Sequence, residues 1–165
     1  GLVTTCWTGS EEAWVGLHVD DWLPMPPCER EFGPNRMMMN AGLQPRHLVF
    51  LDRGISAMAN EVNRYRVRRG QPPLELQAGS PHDVGLEFME TFPNYPVMRL
   101  RVEPGEAYIA PTDNIVHDGS TFDMCAEGAF DLVLCAMGYF EPSAVSATSQ
   151  GSHRVRFQDL DVVPL

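Results

Sequence analysis

Apolar positions along the chain fall in short runs, broken every few residues by Pro, Gly, Asn or Asp. Runs of that length are strand-sized, and 14 Pro and 14 Gly supply the turns between them. They predict strands at about 2–8, 13–20, 36–42, 47–52, 97–103, 106–110, 114–118 and 131–140. Two segments depart from the pattern. Across 55–67, the residues Ile55, Met58, Ala59, Val62 and Tyr65 recur near helical spacing. Ser80-Pro81-His82-Asp83 ahead of Val84-Gly85-Leu86-Glu87-Phe88-Met89 reads as an N-capped short helix. Both lie between the fourth and fifth strands, so a helical insertion over about 54–92 is expected to sit over one end of the β-structure. The stretch 142–152, rich in Ser, Ala and Thr, is expected to be a mobile loop. The predicted class is all-β, a sandwich or barrel formed as a single domain over 1–165.

At 165 residues and 44% hydrophobic, the chain can bury one core without a disulfide framework. No apolar run reaches the roughly 18 residues of a membrane span. Residue 1 is Gly, which points to a processed start, and no secretory signal pattern follows it. The net charge is −10, with 22 acidic residues against 12 basic ones. An acidic surface repels phosphate backbones and argues against a nucleic-acid partner. Every basic side chain other than His is Arg, so lysine Schiff-base and lysine general-base chemistry are excluded. The all-Arg usage hints at a GC-rich bacterial genome. Arg64, Arg66, Arg68 and Arg69 form a basic cluster, read as a solvated helix end. Cys6, Cys28, Cys125 and Cys135 include no CxxC pair, which suits reduced structural thiols in a cytoplasmic protein.

Two stretches carry candidate chemistry. In Trp14-Val-Gly-Leu-His18-Val-Asp20-Asp21-Trp22, a strand would place His18 and Asp20 on one face, able to chelate one metal ion. Taken alone that spacing is weak, and a His and Asp hydrogen-bonded near the core is the plain alternative. In Arg99 to Gly119, strand, turn, strand, turn and strand follow one another, with His117 on the last strand beside Gly119. Two His and one carboxylate from separate strands form the facial triad of non-haem Fe(II) oxygenases.

At these residues the chain resembles the Fe(II)- and 2-oxoglutarate-dependent oxygenases. Gly16-Leu-His18-Val-Asp20 with the later Ile-Val-His117 is similar to their HxD…H signature. The Pro104-Gly105 to Pro111 to His117 stretch is similar to the second cupin motif. The likeness covers about residues 1–140 and implies a double-stranded β-helix, the jelly-roll barrel, with Fe(II) on His18, Asp20 and His117. HxD in place of HxH favours the oxygenases over the cupins. Members usually carry helices before the HxD strand; only 17 residues precede His18, so a core-only member or a trimmed fragment is expected.

In such enzymes the distal carboxylate of 2-oxoglutarate pairs with Arg or Lys, commonly an Arg a little beyond the second His. No Arg or Lys lies between Asp118 and Ser152. A subset resembling the JmjC-type enzymes uses a basic residue on the strand after HxD, which Arg36 in Asn35-Arg36-Met-Met-Met-Asn40 matches. Arg46, Arg99 and Arg101 are rivals for that role. Asn40, on the Arg36 face, would hydrogen-bond substrate or cosubstrate. Asp21 and Asp118 would orient the ligands or be solvated turn residues. Met37 to Met39 read as core filler, and Trp7, Trp14 and Trp22 bracket the metal segment. His47 and His82 suit surface or capping roles, and His153 could ligate only if the tail folds back.

The resemblance therefore implies an enzyme: an Fe(II) dioxygenase using 2-oxoglutarate and O₂ to hydroxylate a small molecule, such as an amino acid or a biosynthetic intermediate. The expected partners exclude nucleic acid and membrane, with a homodimer left open. One alternative is a cupin-type metalloenzyme without 2-oxoglutarate, which the missing basic residue after His117 favours. The other is a non-catalytic jelly-roll module in which His18, Asp20 and His117 only hydrogen-bond.

Overall fold

The strand-sized runs of the sequence fold into ladders that are all antiparallel among the described residues. The computed structural model describes residues 2–8, 12–74, 81–125, 133–139 and 160–163. Within them β1 (Trp7–Thr8) pairs with β2 (Ala13–Trp14) in a small ribbon. β3 (Asn35–Asn40) is the centre of one sheet, between β6 (Ala107–Ala110) and β8 (Val133–Gly138). A second sheet runs β7 (Ile115–Ser120), β4 (Arg46–Gly54), β5 (Val97–Val102) and β9 (Leu160–Val163) in that order. The molecule is thus β-rich, with two helices.

The strands expected at 36–42, 47–52, 97–103, 106–110 and 114–118 are β3 to β7, and β8 falls within 131–140. β9 was not anticipated, because four residues with an acid among them show no usable period. The stretch 142–152 and His153 lie outside the described residues. The strand expected over 13–20 is shorter than predicted, since β2 stops at Trp14. Gly16, at φ +72°, turns the backbone out of extended geometry just beyond it.

α1 (Ile55–Arg68) starts directly where β4 ends, and Asn114 caps it: Ile55 N–H lies 2.9 Å from the Asn114 carbonyl and 3.2 Å from its side-chain Oδ1. α2 (Pro81–Thr91) comes close to β7 through Gly85, where a Cβ would lie 2.7 Å from Val116 Cγ2. The core joins Ile55, Met58, Ala59 and Val62 of α1 and Val84 and Phe88 of α2 to Leu51, Val97 and Val116 of the sheet, with Val19 beside them. Burial of each large apolar side chain contributes roughly 1.5–3 kcal/mol, which makes this layer the chief source of stability. The helices pack against one face of the four-stranded sheet at the end where β4 runs into α1, on the row Leu51, Val97 and Val116; farther along, that face carries Arg99, Arg101, Asp118 and Ser120.

The other face of that sheet positions the site. Phe50 pairs with His117 and Leu48 with Gly119, and residues opposed in a ladder share a face. His117 and Gly119 therefore project away from the helices. They line a cavity of about 270 Å³ to which Arg36, Met38, Tyr108 and Val133 of the other sheet also contribute. Among the described residues no helix is long and apolar enough to cross a membrane.

Candidate metal centre

One backbone bridge assembles the centre. His18 N–H donates to the His117 carbonyl at 2.9 Å, and His117 N–H donates to the His18 carbonyl at 2.8 Å. Directly opposed residues point to one side of such a pair, so the two imidazoles lie together, with ring centroids 4.8 Å apart. Two residues on, Asp20 N–H donates to the Thr112 carbonyl at 3.1 Å, which keeps the segment extended and returns Asp20 to the same side. His18 Nε2 lies 3.7 Å from Asp20 Oδ1, and His117 Nε2 lies 3.6 Å from Asp20 Oδ2. One ligating atom from each of the three residues falls within 4.8 Å of the others.

The proton positions follow from the acceptors. His18 Nδ1 faces the Gly16 carbonyl at 2.7 Å, and His117 Nδ1 faces the Ile115 carbonyl at 3.2 Å. A carbonyl only accepts, so each Nδ1 carries a hydrogen, and Nε2 is the ring nitrogen turned toward Asp20. Burial drives the His117 imidazole down to about 4, against the pull of Asp20, and keeps it neutral at ordinary pH. Burial also lowers His18, but the Asp20 carboxylate and the Gly16 carbonyl outweigh it and leave that ring above its usual value. Burial raises Asp20; His18, Thr112 and Arg36 more than reverse this and hold the carboxyl at about 2.

Asp20 Oδ2 is buried and has no aligned hydrogen-bond donor, although Arg36 Nη2 stands 2.8 Å away as an ion-pair partner. A carboxylate so placed, with one imidazole Nε2 within 3.7 Å of each of its oxygens, suits a divalent cation. The donor set therefore fits the metal that the sequence implies.

Arg36 occupies a different place from the one expected. Its guanidinium pairs with Asp20 and lies 4.8 Å over the Trp22 ring, while still lining the cavity between the sheets. Asn40 is not brought to the site. It is 1% exposed, its Nδ2 donates to the carbonyls of Gln44 and Val102 (each 2.9 Å), and its Oδ1 accepts from Gly42 N–H. That amide fixes the turn after β3 and is not among the groups lining the cavity. Asp118 accepts from Gly119 N–H at 2.7 Å, and Asp21 pairs with Arg30. His47 is buried, beside Phe122 and Asp123, in place of the surface position expected. Cys6 and Trp22 line a second recess of about 380 Å³ with Val15, Asp21 and His82, which His18 and Asp20 also border.

Arg30, Thr112 and Asp113 escaped sequence reading, whereas Arg46 is one of the rivals to Arg36 that the sequence offers. Arg30, 2% exposed, donates to the carbonyls of Asp20 (2.9 Å), Asp113 (3.0 Å) and Met25 (3.1 Å). Thr112 anchors Asp20, and Asp113 sits buried next to it. Arg46, 4% exposed on β4, enters the cavity where Gly119 has no side chain; a Cβ there would meet its Nη2 at 2.8 Å. Arg30, Thr112 and Asp113 belong to no period or motif that could have marked them. Comparison with known proteins finds no matching family model, no matching curated protein and no matching solved structure.

Proposed function

We propose that the chain is a jelly-roll Fe(II) oxygenase that uses 2-oxoglutarate and O₂ to hydroxylate a small molecule. The observation that carries this reading is the His18–Asp20–His117 group, with both Nε2 atoms and the carboxylate converging at the edge of a cationic cavity. Connectivity supports the jelly roll: β3 to β4, β5 to β6, β6 to β7 and β7 to β8 each pass from one sheet to the other. That repeated hand-over between facing sheets is what a jelly-roll winding requires. Fe(II), bound by His18, Asp20 and His117, supplies the redox chemistry that makes O₂ reactive toward a C–H bond.

The remaining residues divide the work by side. Inward, Arg46 and Tyr108 line the cavity beside His117, and both Arg46 and Arg36 are close enough to act on the Tyr108 phenol. Burial pushes that phenol up to about 12, so it stays a hydrogen-bond donor. We assign the distal carboxylate of the cosubstrate to Arg46, with Tyr108 beside it, because Arg46 enters the cavity next to Gly119 of the strand that carries His117. Outward, Trp22 and Val15 offer an apolar platform next to His18 and Asp20, on the side where a small substrate would approach.

The test is anaerobic addition of Fe(II) and then 2-oxoglutarate, followed by visible absorption. A weak metal-to-ligand charge-transfer band is expected only with both present, retained with weaker cosubstrate affinity in Arg46→Met and lost in His117→Ala. Stoichiometric iron without a band would favour the cupin-type enzyme. No bound metal would leave the non-catalytic module.

A further inference from the structure

Arg36 stands where a metal would compete with it. Its Nη2 is 2.8 Å from Asp20 Oδ2, the same oxygen that lies 3.6 Å from His117 Nε2. A divalent ion bonded to His117 and Asp20 sits about 2.0–2.2 Å from each donor atom, and so only a few ångströms from the guanidinium. Both cations seek one carboxylate in a largely buried site, where like charges repel more strongly than in water. The guanidinium has somewhere else to go. It already stacks 4.8 Å over the Trp22 ring and borders the inter-sheet cavity lined by Met38, Tyr108 and Arg46.

We infer that Arg36 is a resident counter-cation of the metal-free site: it pairs with Asp20 and orients it, and an incoming divalent metal displaces it into the inter-sheet cavity. This rests on the metal-site reading above and adds a regulatory role to it. Two consequences follow. Arg36 weakens metal binding in the natural chain, the opposite of what a supporting residue does. Its displacement also brings a second positive charge to the cavity when the metal binds, so the metal and an anionic co-ligand favour each other, and by linkage the effect is reciprocal.

The experiment is titration of the full chain with Mn(II), with free ion counted by its electron paramagnetic resonance signal, in the natural protein and in Arg36→Met, Arg36→Gln and Arg36→Lys. The neutral variants are expected to bind Mn(II) on the order of tenfold tighter, with Arg36→Lys staying near the natural value because it keeps the charge. Arg36→Gln carries the test if Arg36→Met does not fold. Equal or weaker binding by the neutral variants, with the natural chain binding one ion, overturns the inference and leaves the metal site standing. Tightening in Arg36→Lys as large as in Arg36→Met would make size, not charge, the cause and also overturns it. Absence of Mn(II) binding in the natural chain and in the neutral variants alike overturns both the inference and the metal site.

Discussion

Arg30 shows how much of the site is decided by a residue that never reaches the ligands. Its buried guanidinium gathers the carbonyls of Asp20, Met25 and Asp113 and the carboxylate of Asp21, which fixes the backbone immediately around Asp20. Removing it strands those carbonyls out of water, each at a cost of roughly 1–3 kcal/mol. Arg30→Met is therefore expected to lose about 3 kcal/mol of stability in urea unfolding and to bind metal more weakly. Stability within about 1 kcal/mol of the natural chain would mean that water or another donor already serves these groups. Arg36, by contrast, is a residue whose removal is expected to strengthen metal binding. Two arginines close to one aspartate thus have opposite predicted signs, because one holds its backbone and the other occupies its carboxylate.

Among the elements, the contact between α2 and β7 is set by one missing side chain. Gly85 lets the helix approach until Val116 Cγ2 lies where its Cβ would be, 2.7 Å away. Val116 is β-branched, buried and stiff, so it has little room to turn aside. Gly85→Ala is expected to cost about 1–3 kcal/mol, although alanine is the better helix former. Phe88→Ala, which empties a fully buried position against Phe92 and Tyr95, is expected to cost roughly 3–5 kcal/mol. Thermal or urea unfolding measures both. A more stable Gly85→Ala protein would show that α2 can lift from β7 freely. The same contact bears on the site, because Val116 precedes His117 and a shift of β7 moves an imidazole.

For the molecule as a whole, metal binding and folding are expected to be linked, since the ligands come from two remote segments joined by a single bridge. At a free metal concentration of 100 times Kd, the folded state gains about 2.7 kcal/mol. Differential scanning calorimetry is expected to show a concentration-dependent rise in Tm that a chelator reverses. His117→Ala should show no rise. A rise that survives in His117→Ala would locate the metal elsewhere, the free thiols being the first place to look.

Strand and helix positions were legible because they are local: short runs bounded by turn residues mark β3 to β7, and Ile55, Met58, Ala59 and Val62 mark α1. His18, Asp20 and His117 could be singled out because their spacing and flanking turns are written in contiguous residues. What the sequence could not convey is which strands meet, since pairing depends on closing long loops and covering apolar faces. So Asn40 was expected at the site when its amide closes a turn. Arg36 and Arg46 look alike in the sequence. Tertiary structure alone places one on the Asp20 carboxylate and the other in the cavity above Gly119. The sequence by itself marked most of the elements and three candidate ligands; the tertiary structure decided their convergence, because the bridge between His18 and His117 brings remote segments close enough to share one ion.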